Sequence, residues 1–482
     1  MFLQAGALSL ALLLASRILG LVRESAQAAA FGASGMGDVA VLMLTLPDLL
    51  SGLLASGALA YVLLPMWAHE EGARIAAGQR RVARWLLGGG LLLAALLLLA
   101  RQPVALWLAS GLPPALQGPA ATGLAWSAAA VPLALLAALW VTRLQHERDF
   151  VGMYAANLVV NAVLIAVLLL LLAAKAAAGA SVAWLGAGLL GAMAARLAWL
   201  HWRQRPFATV AAPPEAALPR APVWLWAAAA AGLPLALPFA ARSLASQQAP
   251  GALATFNYAW KLVELPLVLA IQLVGTLALG PIARALRGDA SHEAAATLRR
   301  GFALAWTLAC ASAAGLLVAA PAIAHLLFGW GRMQPRALAE VAQWGRIGAW
   351  SLPPQALIAI ALAVLAAQDR LRLAVLAYAG ALAGLLLAHP GQGGVLMAWL
   401  DGLWAAIALV LLRSVRPAAQ GWLPWRALSA AGGALLAVQA AVLVAGIPGG
   451  AAGQWLAAIG AAVLVGGSAW WASTDLRSAL AR

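Results

Sequence analysis

Apolar stretches of about 20 residues recur along the whole chain, and this recurrence constrains the fold more than any other feature. A helix of that length crosses the hydrocarbon core of a bilayer. The stretches are continuous and rich in Leu and Ala, whereas a transmembrane β-strand alternates polar and apolar residues over about ten positions. Only 9% of the residues are charged, against about 25% in soluble domains. We therefore predict an all-α polytopic membrane protein.

Charged residues and Pro/Gly-rich breaks divide these stretches into fourteen candidate transmembrane helices. The predicted spans lie near residues 2–21, 37–66, 84–107, 122–143, 150–173, 180–202, 222–245, 254–282, 302–328, 342–367, 372–388, 394–413, 425–446 and 452–473. The second and eighth spans are long and contain Pro47 and Pro266, so we predict that they bend. The first span has no basic residue before it, which favours a membrane helix over a cleaved signal peptide.

The distribution of Lys and Arg supports this count. If the loop after the second span is cytoplasmic and the loops alternate, twenty of the 30 basic residues lie on the cytoplasmic side and six on the other side. The remaining four, Arg17, Arg196, Lys261 and Arg346, fall within spans. Cytoplasmic loops of membrane proteins carry an excess of Lys and Arg. We therefore predict a multi-pass protein of the bacterial inner membrane with both termini in the cytoplasm.

Two dipeptides repeat at the same spacing. Leu46-Pro47 and Leu265-Pro266 lie 219 residues apart, as do Arg80-Arg81 and Arg299-Arg300. The repeat predicts two pseudo-symmetric six-helix lobes, and transporters commonly bind their substrate between such halves. The predicted domains are an N-terminal lobe (1–203), a cytoplasmic linker (204–221), a C-terminal lobe (222–416) and two extra transmembrane helices (417–482).

Ionisable residues at membrane depth are costly and usually face a cavity or a partner. Those in or beside the predicted spans include Arg17, Arg23, Glu24, Asp38, Asp48, Arg242, Lys261, Glu264 and Asp401. Lys261 and Glu264 are three residues apart and share one helix face, where they can form a local ion pair. Arg17 and Arg23 can instead extend to the lipid headgroups.

Arg23 follows the first span of one predicted lobe, and Lys261 lies in the second span of the other lobe. If these spans face each other, the two residues favour a cationic cavity. Such a cavity needs an anionic ligand. Diphosphate fits, because Arg binds two oxygens at once and Lys acts as a point charge. We predict Glu24, Asp48 and Glu264 as acids of the cavity or its gates, with Arg242 and Asp401 as additional candidates.

Residues 16–24, Ser-Arg-Ile-Leu-Gly-Leu-Val-Arg-Glu, resemble the opening signature of the MurJ/MviN family, the lipid II flippases of the MOP exporter superfamily. Phe31-Gly32-Ala33, Asp38 and Leu46-Pro47-Asp48 continue the pattern. Further similar positions are Phe150, Asn161, Tyr258, Lys261, Glu264, Pro266, Gly275, Pro281 and Asp369.

The resemblance implies a flippase that moves lipid II, undecaprenyl-diphosphate carrying the peptidoglycan disaccharide-pentapeptide, to the periplasmic leaflet by alternating access. It implies that Arg17, Arg23 and Lys261 face the central cavity, with Asp38 as a cavity acid. The last two helices would form a groove for the lipid tail. The chain departs from the family pattern at Ser51, which stands where the second helix carries an arginine, so Ser51 is a further candidate.

Other functions stay open at this point. The first alternative is a flippase for another lipid-linked oligosaccharide, of the exopolysaccharide or O-antigen type. A multidrug or ion antiporter is the second, although the buried cations favour an anionic cargo. We expect no enzymatic activity, cofactor or metal, because no long extramembrane loop and no His/Cys/acid cluster is visible. The net charge of +15 is spread over short loops and does not predict nucleic-acid binding. The expected partners are membrane lipids, the undecaprenyl-diphosphate-linked glycan and the cell-wall synthesis machinery.

Overall fold

The computed structural model describes residues 2–174, 176–207, 218–268, 274, 282, 291–368, 370–391, 393–415 and 421–480, and these are folded almost entirely as helices. The helices are α1 (Phe2–Phe31), α2 (Gly35–Leu53), α3 (Leu59–Trp67), α4 (Gly72–Leu99), α5 (Arg101–Leu108), α6 (Pro114–His146), α7 (Phe150–Ala174), α8 (Ala178–Gln204), α9 (Ala221–Ser246), α10 (Ala252–Pro266), α11 (Ser291–Phe328), α12 (Pro335–Gly348), α13 (Leu352–Ala367), α14 (Leu371–Ala388), α15 (Gly393–Ser414), α16 (Trp425–Ala445), α17 (Ala451–Ala472) and α18 (Thr474–Leu480).

The predicted fold class is confirmed. Within the described residues, twelve helical segments are long and apolar enough to cross a membrane, and they match every predicted span except the first and the eighth. The first predicted span lies in α1, and the eighth begins in α10. Most of residues 269–290 lie outside the described residues, including Gly275 and Pro281 of the family resemblance, and so does Asp369.

Several helices extend past the predicted apolar limits. α4 begins at Gly72 and α11 at Ser291, so both repeated Arg pairs lie inside helices, whereas we predicted them just before the spans. Long Arg side chains can reach water while their backbone stays helical, which explains why charge did not end these helices. The third predicted span is broken at Ala100, because Pro103 has no N–H to donate to the carbonyl of Leu99.

The second predicted span contains two irregularities. Pro47 of α2 has no N–H to donate to the Met43 carbonyl oxygen, and the Ser127 hydroxyl of α6 donates to that oxygen instead. A π-helical turn, Leu54–Ala58, then separates α2 from α3. A π-helical turn also follows Pro266, at residues 267–268. The proline-containing spans thus carry the irregular backbone that permits bending.

The chain forms two compact units. The first contains Met1–Ala254 and Trp330–Met333, and the second contains Thr255–Gly329 and Gln334–Arg482. The predicted lobe boundary near 203–222 stays a prediction. The two compact units are defined by contacts in space, whereas the predicted lobes are defined by a sequence repeat. In the first unit, Trp330 Nε1 donates to Ser25 Oγ (2.8 Å), and the Arg332 N–H donates to the Ala29 carbonyl (2.8 Å).

Each unit is built around one long helix with small buried side chains. In the first unit, α6 packs against α2, α4 and α8 through fully buried residues such as Ala128, Ala134 and Ala138. In the second unit, α11 packs against α12, α13, α16 and α17 through residues such as Ala309 and Ala314. Small residues let helix backbones approach closely in a membrane, where packing replaces the hydrophobic effect.

Candidate functional site

Charged side chains of α1 and α2 meet in the interior of the first unit. Arg23 of α1 is 9% exposed, and its Nη2 atom lies 2.9 Å from Glu24 Oε1 and 2.9 Å from Asp48 Oδ2 of α2. Glu24 is buried, whereas 42% of the Asp48 side chain is exposed. Charged residues inside a membrane usually pair with one another or face a cavity. The structure thus brings together three of the predicted site residues.

A second arginine joins this group from α8. Arg196 is 6% exposed, and its Nη1 atom donates to the Ser51 hydroxyl at 3.3 Å. Ser51 and Asp48 are three residues apart on α2, so they share one helix face. We call Arg23, Glu24, Asp48, Ser51 and Arg196 the arginine cluster. The cluster connects α1, α2 and α8.

The two arginines of the cluster differ in their partners. Arg23 has two carboxylates within ion-pair distance. Arg196 forms no ion pair with the described residues, and its Nε atom is buried without a hydrogen-bond partner there. Asp48 attracts both guanidinium groups, although it is within 4.0 Å only of Arg23. An anion that enters the cluster would therefore compete with Asp48 for Arg23 and would find Arg196 already positioned.

Asp38 has a structural task that its sequence position did not reveal. It is 1% exposed, and its carboxylate accepts the N–H groups of Gly251 (2.6 Å) and Ala254 (2.8 Å) at the start of α10. The first N–H groups of a helix have no partner within the helix, so an acceptor from elsewhere stabilises the helix end. Gly251 has φ +92°, and a Cβ there would lie 2.5 Å from the Ala33 carbonyl oxygen. The role of Asp38 as a cavity acid stays a prediction.

Arg17 and Arg242 lie apart from the arginine cluster. Arg17 is exposed and makes no hydrogen bond or ion pair within the described part of the chain. It lies six residues before Arg23, which turns the two side chains to different sides of α1. Arg242 of α9 is half-buried and lines a small cavity together with Thr45 and Phe239. Their predicted substrate roles stay predictions.

The remaining predicted residues belong to the second unit. Lys261 and Glu264 form the local ion pair that their spacing allowed, with Nζ 2.7 Å from Oε2, and both side chains are partly exposed. Asp401 of α15 is 9% exposed, and its Oδ1 atom has no hydrogen-bond partner among the described residues. The pair on α10 neutralises much of the positive charge that Lys261 was predicted to offer.

Sequence reasoning placed Arg196 within a span but gave it no role. The available signal was its charge deep in the sixth predicted span, since such residues usually have a partner or a function. The missing information was which side of α8 faces α2, because residue spacing along one helix does not determine its neighbour. Ser51 looked like the loss of a charged position, but the structure supplies a guanidinium there from another helix.

Solved structures of transporters share this fold. One described as "Lipid II flippase MurJ, inward closed conformation" matches 96% of this chain and 99% of its own, with a TM-score of 0.78 and 14% identity. An inward-facing multidrug resistance MATE family transporter of the MOP superfamily matches 88% of this chain and 96% of its own, with a TM-score of 0.67 and 11% identity. At these identities the likeness concerns the fold alone.

Sequence comparisons identify the family. A curated protein of Rhizobium meliloti, "Probable lipid II flippase MurJ", is 27% identical over 359 residues, which are 72% of this chain and 66% of that protein, just under two thirds of its length. The family model described as "Lipid II flippase MurJ" matches residues 27–448, which contain α2 to α16 and leave Arg23 just outside. Because this match extends over most of the chain, the protein belongs to the MurJ family.

Proposed function

We propose that this protein is a lipid II flippase of the bacterial inner membrane, with both termini in the cytoplasm. The observation that carries the proposal is the arginine cluster, a pair of buried guanidinium groups inside the membrane-spanning helices of a MurJ family member. The family model and the curated relative are both described as lipid II flippases. The distribution of Lys and Arg supports the proposed orientation.

The chemistry of the arginine cluster fits a diphosphate. Guanidinium groups bind phosphate oxygens through paired, charge-assisted hydrogen bonds. As the structure stands, Glu24 and Asp48 both pair with Arg23, whereas Arg196 forms a hydrogen bond to Ser51 and no ion pair within the described residues. An incoming diphosphate takes the place of Asp48, whose side chain is the most exposed of the four charged side chains. In the second unit, Lys261 is a further candidate cation, and it pairs with Glu264 at 2.7 Å.

Substrate binding of this kind changes contacts between helices. The Arg23–Asp48 ion pair joins α1 to α2, and the Arg196–Ser51 hydrogen bond joins α8 to α2. Replacing these bonds with bonds to phosphate releases α2, which lacks an N–H donor at Pro47 and continues into a π-helical turn. We propose that α2 therefore moves during the alternating-access cycle, as charge neutralisation favours closing the cytoplasmic side.

A flippase for another lipid-linked oligosaccharide is the alternative. Ser51 favours it, because the resemblance implies an arginine there and a changed cluster can accompany a changed cargo. The arginine cluster fits a diphosphate, which both candidate cargoes contain, and it has no feature that selects a sugar. It therefore supports both cargoes equally.

Complementation tests the proposal. The gene is expressed in a bacterium whose own lipid II flippase can be switched off, and we expect growth to be rescued. The variant Arg23→Ala with Lys261→Ala should reach the membrane at normal levels and fail to rescue, because two candidate phosphate-binding cations are gone. The control, Arg336→Ala, removes a cation whose side chain is 91% exposed and should rescue like the unchanged protein.

Two results would contradict the proposal. Full rescue by the double variant would show that Arg23 and Lys261 do not bind the cargo. Failure of the unchanged protein, with its presence in the membrane shown, would favour the other lipid-linked oligosaccharide. Lipid extracts from a strain lacking this gene would then be searched for the accumulated precursor.

A further inference from the structure

We infer that Arg196 of α8 is a phosphate-binding residue that acts together with Arg23, so that the first unit offers a diphosphate two guanidinium groups rather than one. The inference rests on the proposed function, because the diphosphate is the part of the cargo that the two groups would bind. It adds a residue that neither the repeat nor the family resemblance indicates.

The first observation is that Arg196 is buried without a carboxylate partner. It is 6% exposed and lies inside α8, about two turns before the polar end of the helix at His201, Arg203 and Gln204. Within the described residues it forms no ion pair. A buried cation without a counter-ion lowers stability substantially. A residue kept at such a cost is expected to have a ligand.

The second observation is the way the guanidinium group is held. Its Nη1 atom donates to the Ser51 hydroxyl at 3.3 Å, a neutral acceptor that orients the group without cancelling its charge. Its Nε atom is buried and has no hydrogen-bond partner in the described part of the chain. The group is therefore oriented and still has a donor for an anion.

The third observation is that both arginines contact the same face of α2. Arg196 contacts Ser51, and Arg23 contacts Asp48 on the same face of α2. Residues three apart on a helix, such as Asp48 and Ser51, have Cβ atoms about 5–6 Å apart. The partners of the two arginines are therefore neighbours, and one diphosphate could bind both guanidinium groups. Asp48 attracts both arginines. One anion in its place would neutralise both.

Binding of farnesyl diphosphate to the purified full-length protein in detergent tests the inference, with farnesol as the uncharged comparison. We expect the Kd for farnesyl diphosphate to rise at least about tenfold in Arg196→Gln, which keeps a donor for Ser51 but loses the charge. Arg196→Lys should lose less, because the charge remains. Farnesol binding should not change in any variant.

Two further variants separate binding from structure. In Arg196→Gln with Ser51→Arg, the guanidinium group returns to the same place from α2, and we expect affinity to recover toward that of the unchanged protein. Arg203→Gln removes an arginine two turns further along α8 that pairs with Asp149 at 2.7 Å. It should keep its affinity, although its thermal stability should fall.

The results distinguish the inference from the proposed function. If the unchanged protein and Arg196→Gln bind farnesyl diphosphate equally well, Arg196 has only a structural role and the flippase proposal stands. Loss of affinity that Ser51→Arg does not restore also overturns the inference, because position and charge alone would not explain it. If the unchanged protein binds no diphosphate and does not rescue growth, the proposed function itself fails.

Discussion

At the scale of single residues, Asp48 controls how much positive charge the arginine cluster presents. It pairs with Arg23 at 2.9 Å and attracts Arg196, yet 42% of its side chain is exposed. Glu24 is buried beside Arg23 and is the more permanent partner. Asp48 is thus the acid that an incoming anion displaces, and its strength as a competitor sets the affinity for cargo.

The substitution Asp48→Asn should tighten diphosphate binding. The amide keeps the size of the side chain but removes its charge, so the cluster gains one net positive charge. We expect the Kd for farnesyl diphosphate to fall about threefold, a modest change because the carboxylate is partly in contact with solvent. Growth rescue should weaken at the same time, because tighter binding slows release. Weaker binding in this variant would instead show that Asp48 orients Arg23 and does not compete with the cargo.

At the scale of helices, Asp38 links two elements that are distant in the sequence. It lies in the first turn of α2 and caps the start of α10, whose N–H donors lie 213 and 216 residues further along the chain. The carboxylate occupies the place that a capping side chain within α10 would take, and position 251 is a glycine that has no side chain to offer. By accepting these two N–H groups, Asp38 fixes where α10 begins.

The variant Asp38→Ala should lower the free energy of unfolding by about 1–3 kcal/mol, because two buried N–H groups lose their acceptor. Asp38→Asn should cost less, since the amide oxygen still accepts one of these bonds. Thermal unfolding in detergent measures the difference. Asp475→Ala is the comparison, because it removes a carboxylate that pairs with Arg299 at 3.2 Å in a partly exposed position. Equal shifts for Asp38→Ala and Asp475→Ala would contradict the capping role.

The positions of most helices could be predicted from the sequence, but the contacts between helices could not. Apolar length predicted the spans, because each membrane helix satisfies its own backbone hydrogen bonds and needs no partner to form. The Lys261–Glu264 pair was predictable for the same reason, since it lies within one helix. The Arg23–Asp48 pair, the Arg196–Ser51 bond and the Asp38 cap each join separate helices, and helix packing decides those contacts.

At the scale of the whole molecule, the excess of Lys and Arg on one side gives a testable orientation. Twenty basic residues lie on the side predicted to be cytoplasmic and six on the other. A green fluorescent protein fused after Arg482 should therefore fluoresce, and alkaline phosphatase fused at the same place should be inactive. Fusions at Arg336, at the start of α12 and on the side predicted to be periplasmic, should give the opposite pattern. An active phosphatase at the C-terminus would show that the span count is off by one.

The short segment Trp330–Met333 has a consequence for synthesis. Its tryptophan donates to Ser25, 305 residues earlier, and its backbone donates to Ala29 at the end of α1. Ribosomes add about 5–20 residues per second, so α1 waits about 15–60 s in the membrane before these partners exist. During that interval the end of α1 lacks these two hydrogen bonds, and a chain that stalls after α9 never completes its first unit.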